Sequence, residues 1–441
     1  MKRVRRSPNH GKISIAFLGW FGALNLGNEC TLQAMICNVR KYYPDAELKC
    51  VCVVPKDTAV RHGIPTLAIA EQLPNLTSPL TSNLLARIVR RIFALMLRIP
   101  IEFMEWVRAF KTLMSTHMLI VPGTGLLTDA FARPFNWPYY IFRWCVVARL
   151  CRCQVLFVSV GAGPIYHPLS KWFIKSALAV ADFRSYRDVA TKEYLNNLGL
   201  STHKDHVFPD LAFNLPESIL PIGNFRKRQR PVVGIGMMHY AGRLSVADPR
   251  EATYRDYLRS LVGFAEWLLA HDYDVSLLMG DAADDAHVLH EFKGLLQQSS
   301  LFDPARIIDI PITTVNDLLT RLAETDVVVA TRFHNALLAL VLNRPVILIS
   351  FHQKCDSLMD QMGLSDYCED INSLSTDKLV RQFVRLRQNA DMLKDVTKRK
   401  ANEQRRALEQ QYEIIFRGEG RLLRGESGAK DHSVAPRIRE V

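Results

Sequence analysis

No Cys-x-x-Cys pair occurs in this 441-residue chain, although it holds nine cysteines. An odd number without paired spacing argues against both a disulfide framework and a zinc site. Cys50/Cys52 and Cys151/Cys153 therefore read as strand residues, and a reducing cytosolic compartment is expected. Also missing is an apolar run long and uncharged enough to cross a membrane as a helix. Met1–Arg6 followed by apolar Ile13–Leu18 imitates a secretory signal. That run passes into Gly19-Trp20-Phe21-Gly22 and then a helical pattern, so it reads instead as a first strand, a glycine loop and a helix. Gly19, Gly22 and Gly27 fit neither Gly-x-Gly-x-x-Gly nor a Walker loop, which leaves dinucleotide and ATP binding unsupported. Positive charge is scattered and no nucleic-acid module is recognisable, so no nucleic acid is expected as a partner.

What is present is globular in composition, with 48% hydrophobic and 23% charged residues. The length suits about two or three domains. A net charge of +12 favours anionic partners such as phosphorylated metabolites or lipid surfaces.

Along the chain, Ser14–Leu18 reads as a strand, Gly19–Glu29 as a loop, Cys30–Tyr42 as a helix and Glu47–Val54 as the next strand, a βαβ opening that predicts a parallel sheet. His117–Val121 leads into Pro122-Gly123-Thr124-Gly125, Gln154–Val160 into Gly161-Ala162-Gly163-Pro164, and Ala181–Ser185 into Tyr186-Arg187-Asp188. Gly223–Arg230 is polar and basic and reads as a linker. Beyond it Pro231–Gly234, Asp274–Met279, Arg306–Ile310, Asp326–Ala330 and Pro345–Ser350 alternate with helical stretches. The expected division is a first Rossmann-like domain over 1–222, a second over 231–385, a C-terminal helix over 386–417 and a disordered tail over 418–441.

Between Ser82 and Met114, apolar residues interleave with Arg87, Arg90, Arg91 and Arg98. Such an amphipathic helix either lies on an anionic membrane surface or packs on its own domain with a solvated arginine face. Asp281, Asp284 and Asp285 at a helix start are read as favouring the helix dipole rather than holding a metal, and no metal is expected.

The candidate site lies at strand-to-helix turns, where open α/β sheets place ligands. Arg332 and His334 follow the apolar Asp326–Ala330 run, Lys354 follows Pro345–Ser350, and Arg187 follows Ala181–Ser185. A guanidinium fork beside a group that ionises near neutrality suits an anionic ligand and proton transfer together. Taken alone, the Arg332-x-His334 triplet is better explained by an arginine paired with a nearby acid and a satisfied histidine. Arg187 has Asp188 or Asp210 as an alternative partner.

The ordered set of these segments resembles the polysaccharide pyruvyl transferase family over roughly Ile13 to Ile371. Gly19-x-x-Gly22-x-x-Asn25-x-Gly27-Asn28-Glu29 is similar to the family's opening loop. Gly123-Thr124-Gly125-Leu126-Leu127-x-Asp129 is similar to its glycine-leucine segment, and Gly161-x-Gly163-Pro164 to its third loop. Arg187-Asp188, Asp210-x-x-Phe213 and Arg332-x-His334 followed by Lys354 keep the family's order. Asn28 stands where an Asp is usual, and Pro122 and Thr124 thin the glycine-rich segment.

That resemblance implies an α/β fold of two Rossmann-like doubly wound domains facing across a cleft, like B-type glycosyltransferases. It implies transfer of pyruvate from phosphoenolpyruvate onto a sugar of a polysaccharide or its lipid-linked precursor as a ketal, with phosphate released and no cofactor besides the donor substrate. His334 and Arg187 are the catalytic expectations. Arg332, Lys354, Gly22, Asn25, Gly123, Gly125, Gly161 and Gly163 are expected to bind substrate. Expected partners are phosphoenolpyruvate, a saccharide or lipid-linked saccharide acceptor and an anionic membrane surface, with the protein cytoplasmic or peripheral on the inner face of the plasma membrane. The rivals are a nucleotide-sugar glycosyltransferase of the same architecture and a non-catalytic glycan-binding or membrane-surface protein.

Overall fold

Short apolar runs closed by turn residues become buried parallel strands, because helices cover both faces of each sheet and leave no solvated side. The computed structural model describes residues 12–71, 84–130, 133–221, 228–240, 249–281 and 284–418, with 84–98, 249 and 250 as backbone alone. The first half supplies strands β1 (Ser14–Leu18), β2 (Glu47–Cys52), β3 (Thr66–Ala68), β4 (Met118–Pro122), β5 (Gln154–Val160), β6 (Phe183–Tyr186) and β7 (His206–Val207). The second supplies β8 (Val232–Gly236), β9 (Asp274–Leu278), β10 (Ile307–Ile308), β11 (Val327–Ala330), β12 (Val346–Ser350) and β13 (Cys368–Asp370).

The seven-stranded sheet has the order β3-β2-β1-β4-β5-β6-β7 and the six-stranded sheet the order β10-β9-β8-β11-β12-β13. Their pairings are parallel. In each sheet the order reverses beside the first strand, between β1 and β4 and between β8 and β11. Ligands of open α/β sheets bind outside the carboxyl ends at such a reversal. The chain is thus two doubly wound α/β units facing across a cleft.

Three elements differ from the sequence-based expectation. The first helix starts at Leu26 rather than Cys30, because the Asn25 side chain caps it by accepting from Asn28 N–H at 3.2 Å. An Asn or Asp cap of this kind is worth about 1 kcal/mol. Leu26 N–H also donates to the Gly280 carbonyl of the second half at 3.0 Å, a partner no local pattern reveals. The second strand stops at Cys52, and Pro55 opens the helix Pro55–His62, which ends at Gly63 in the left-handed region. The C-terminal segment is not one helix. Thr376–Gln388 and Ala390–Tyr412 break at Asn389, and a wide turn over Glu413–Arg417 follows.

The helix Ala390–Tyr412 runs back to the first half. Gln411 is fully buried against the first sheet, accepting from Ser185 Oγ at 2.6 Å and donating to Ser159 Oγ at 3.1 Å. Tyr43 Oη donates to the Phe416 carbonyl at 3.1 Å.

On the face of the first sheet that carries a separate apolar core lie helices Leu84–Leu113, Trp137–Leu150 and Pro168–Ala179. The side chains of Arg87, Arg90, Arg91 and Arg98 fall outside the described residues, as do linker residues 223–227 and the tail 419–441. Among the described residues, no helix is long and apolar enough to cross a membrane.

Candidate active site

Four loops at carboxyl strand ends bring Arg187, Asp210, Phe333 and Lys354 to one cleft, with His334 against Asp210 at its edge. Arg187 follows β6, Phe333 and His334 open the helix Phe333–Val341 after β11, and Lys354 lies in the first turn of the helix Gln353–Gln361 after β12. Asp210 follows β7 and caps the short turn Leu211–Asn214 by accepting from Ala212 N–H. The cleft is lined by Arg187, Asp188, Asp210, Phe213, Phe333, Lys354, Ser357, Leu358 and Gln361. Positions 354, 357, 358 and 361 share one face of a helix.

Arg187 is 8% exposed. Its Nη1 lies 3.8 Å from Asp210 Oδ2, its Nε lies 3.4 Å from Asp188 Oδ2, and the guanidinium carbon sits 5.3 Å from the Phe333 ring centre. Asp188 is meanwhile held as a helix cap, its other oxygen accepting from Thr191 N–H at 2.6 Å. The Arg187 Nε has no hydrogen bond. Lys354 Nζ hangs between the rings of Phe333 and Phe351, 5.8 and 5.0 Å from their centres. No carboxylate among the described residues pairs with it within 4 Å. Burial, reinforced by the Arg187 charge, brings the Lys354 ammonium down to about 8. Lys354 has no carboxylate partner among the described residues and Arg187 is held only loosely by Asp188 and Asp210, at 3.4 and 3.8 Å, so the two cations together attract an anion.

His334 points Nε2 at Asp210 Oδ2, 3.7 Å away, and neither atom has a hydrogen-bond partner. Burial pulls the imidazole down to about 4; Asp210 opposes this, and Arg187, Lys354 and Arg332 add to it. The free site therefore holds a neutral imidazole near pH 7. Its ring lies on the first turn of the helix Leu26–Tyr42, where a Cβ placed on Gly27 would come 1.9 Å from His334 Nδ1. Gly161 does the same for Arg187, since a Cβ there would sit 2.6 Å from Nε. These two glycines permit the close approach of backbone to the His334 ring and the Arg187 guanidinium.

Arg332 is placed differently. Its Nε donates to both oxygens of Asp285, at 3.1 and 3.0 Å, and its Nη2 makes a short contact with Oδ1. Burial pushes the Asp285 carboxyl up, against the pull of the guanidinium. Arg332 does not line the cleft; a buried pair with an acid 47 residues away takes its fork. Asp285 likewise serves this pair rather than the helix dipole alone, while also accepting from Gly280 and Asp281 N–H groups.

The small-residue loops divide. Gly22, at φ +81°, donates N–H to buried Glu29 at 2.7 Å and turns the opening loop. Asn25 caps its helix and donates to Asp281 of the second half at 2.9 Å, tying the two sheets' loops together. Gly123 sits against the Ser159 carbonyl, and Gly163 packs on Thr128. A Cβ on Gly125 would meet nothing within 4 Å. Sequence reasoning did not assign Asp210 to His334, nor Phe333, Ser357 or Gln361 to the cleft. The helical spacing after Lys354 is the signal that marks the last two.

The model of the polysaccharide pyruvyl transferase family matches residues 25–353, about three quarters of the chain, a span that holds Arg187, Asp210, Phe333 and His334 and ends just before Lys354. The chain belongs to that family. No curated protein gives a significant match. Among solved structures, a putative UDP-N-acetylglucosamine 2-epimerase from Listeria monocytogenes superposes with a TM-score of 0.58 at 11% identity, covering 92% of this chain and 98% of the other. A glycosyltransferase from Rickettsia africae gives 0.55 at 10% identity, covering 95% and 100%. At such identities the likeness is one of fold, and it places this pyruvyl transferase family member among two-domain proteins of the B-type glycosyltransferase architecture.

Proposed function

We propose that the protein transfers pyruvate from phosphoenolpyruvate to two hydroxyls of a saccharide acceptor, forming a ketal and releasing phosphate. The observation that carries this reading is the pair of cations Arg187 and Lys354 flanking Phe333, Lys354 with no carboxylate beside it among the described residues, next to a neutral His334 whose Nε2 makes no hydrogen bond. Family membership narrows the anion they would take. Phosphoenolpyruvate carries a phosphate and a carboxylate on a three-carbon frame. A guanidinium fork suits either group, and a buried ammonium supplies a second point charge.

The balance of the reaction assigns the proton work. The methylene carbon gains one proton, two acceptor hydroxyls lose theirs as they bond to the former enol carbon, and the C–O bond to phosphate breaks, the remaining proton leaving with phosphate. In this reading neutral His334 takes a hydroxyl proton, with the Asp210 carboxylate stabilising the resulting imidazolium, and the same group then returns a proton. Donor binding favours this, because the anion offsets the Arg187 and Lys354 charges that disfavour protonated His334.

Purified protein incubated with phosphoenolpyruvate and a panel of saccharides is expected to release phosphate only with a matching acceptor, whose mass rises by one ketal-linked pyruvate. Calorimetry is expected to show heat with phosphoenolpyruvate and none with nucleotide sugars. Heat with a nucleotide sugar alone would transfer the assignment to glycosyl transfer.

A further inference from the structure

Several large exposed apolar side chains gather on one side of the first sheet. On the helix Leu84–Leu113, Ile99, Phe103, Met104 and Phe110 face water, with Phe103 69% and Met104 68% exposed. Leu169 and Trp172 do so on the helix Pro168–Ala179, with Trp172 55% exposed. Ile99, Phe103 and Phe110 fall on one helical stripe. Between the two helices, Tyr139 and Phe142 join the band. Tyr139 meets Phe173 with ring centres 5.2 Å apart, and Phe142 meets Trp172 at 5.1 Å. Trp106 Nε1 donates to Tyr139 Oη at 3.0 Å, which links the first helix to the second. Soluble monomers rarely leave contiguous apolar patches of this extent unused.

Charge chooses the occupant. The acids of the first helix, Glu102 and Glu105, are both paired with Arg143. The other two helices contain no Asp or Glu. Lys111 and Arg133 stand exposed and Lys171 partly so, and in sequence the segment 84–98 adds four arginines and no acid. Exposed Trp, Phe and Ile among cations is the composition of an interfacial membrane anchor. A second copy seated on the same face would set these cations against themselves. One end of the band reaches the carboxyl edge of the first sheet. Helices Trp137–Leu150 and Pro168–Ala179 start at the carboxyl ends of β4 and β5, so Leu169 and Trp172 sit at that edge.

We propose that this band docks the protein on an anionic lipid bilayer and so brings the carboxyl edge of the first sheet to the membrane surface. The inference does not depend on which donor the cleft takes. The full-length protein is sedimented with vesicles of phosphatidylcholine alone or mixed equally with phosphatidylglycerol. It is expected to pellet with the mixed vesicles, less so as salt rises, and its partition is expected to fall about tenfold in the Phe103→Ser/Trp172→Ser protein. Lys111→Gln/Arg133→Gln is expected to weaken it without touching the apolar band. Thermal melts and phosphoenolpyruvate calorimetry on the same preparations are expected to match wild type, which separates this surface from the cleft. Wild-type protein left in the supernatant with mixed vesicles would overturn the proposal. So would a doubly substituted protein that pellets like wild type, or a wild-type dimer that the Ser substitutions dissociate.

Discussion

His334 Nε2 faces Asp210 Oδ2 across 3.7 Å, and the two come from different halves of the chain, 124 positions apart. The gap is too long for a hydrogen bond, and burial keeps the imidazole neutral. A modest closure, or an anion that offsets the nearby cations, converts the contact into a charge-assisted bond. His334→Ala is therefore expected to lower kcat by about 10²–10⁴-fold with phosphoenolpyruvate affinity within a few-fold of wild type. Steady-state phosphate release and calorimetry measure the two separately, and an undiminished kcat would remove His334 from the chemistry.

Proton linkage follows from the same pair. The His334 value in the folded protein, about 4, lies below its ordinary 6.5. Between these values the unfolded chain binds more protons than the folded one, so stability contributed by the neutral ring is full above 6.5 and is lost as pH falls towards 4. Melting temperature is expected to drop more steeply over this window in wild type than in His334→Gln. Identical slopes would contradict the burial of a neutral ring. Phosphoenolpyruvate binding at pH 6 is expected to take up protons, read from calorimetry in buffers of different ionisation enthalpy.

Lys354, at about 8, loses its charge on the alkaline side. Donor affinity is expected to weaken as pH rises through 8, and Lys354→Arg is expected to remove that break because a guanidinium stays protonated. The buried charge also opposes folding below pH 8. Lys354→Met is expected to raise the melting temperature slightly while lowering donor affinity at least about tenfold. A melt and a titration of one preparation test both statements.

Gly27 and Gly161 give a geometric test. Gly27→Ala places a methyl within the space of the His334 ring, and Gly161→Ala places one against the Arg187 guanidinium. The first is expected to depress kcat chiefly, and the second to raise KM for phosphoenolpyruvate chiefly. Each effect is expected to reach about tenfold or more. The reverse split between kcat and KM would exchange the roles given to His334 and Arg187.

Arg332 and Asp285 form a buried pair whose loss is costly because it strands a charge. Asp285→Ala is expected to destabilise by about 3 kcal/mol, and the double Arg332→Met/Asp285→Leu protein by less. Urea denaturation of the single and double variants closes the cycle. Equal losses in both would show that the ion pair contributes nothing of its own.

Much of this was written locally. Apolar runs such as Gln154–Val160 become strands because alternation with helices leaves both sheet faces covered, and the strand coincides with its expected span. Arg187, His334 and Lys354 were visible as candidates because each stands a few residues beyond such a run, where a strand-to-helix turn exposes side chains at the sheet edge. Helix starts were less visible. Leu26 begins a helix only with Asn25 as cap and Gly280 of the other half as acceptor.

Residue order alone determined two parallel α/β units, the strand ends where cations collect and the identity of those cations, since these depend on neighbours within one or two turns. Tertiary structure decided which cations stay open to a ligand. Arg332 is turned away by Asp285, Arg187 and Lys354 meet around Phe333, and Asp210 is brought to His334. The final helix is likewise returned to Ser159 and Ser185 through Gln411. Each outcome is a choice of partner between distant segments, set by burial and charge that exist only once both sheets are packed.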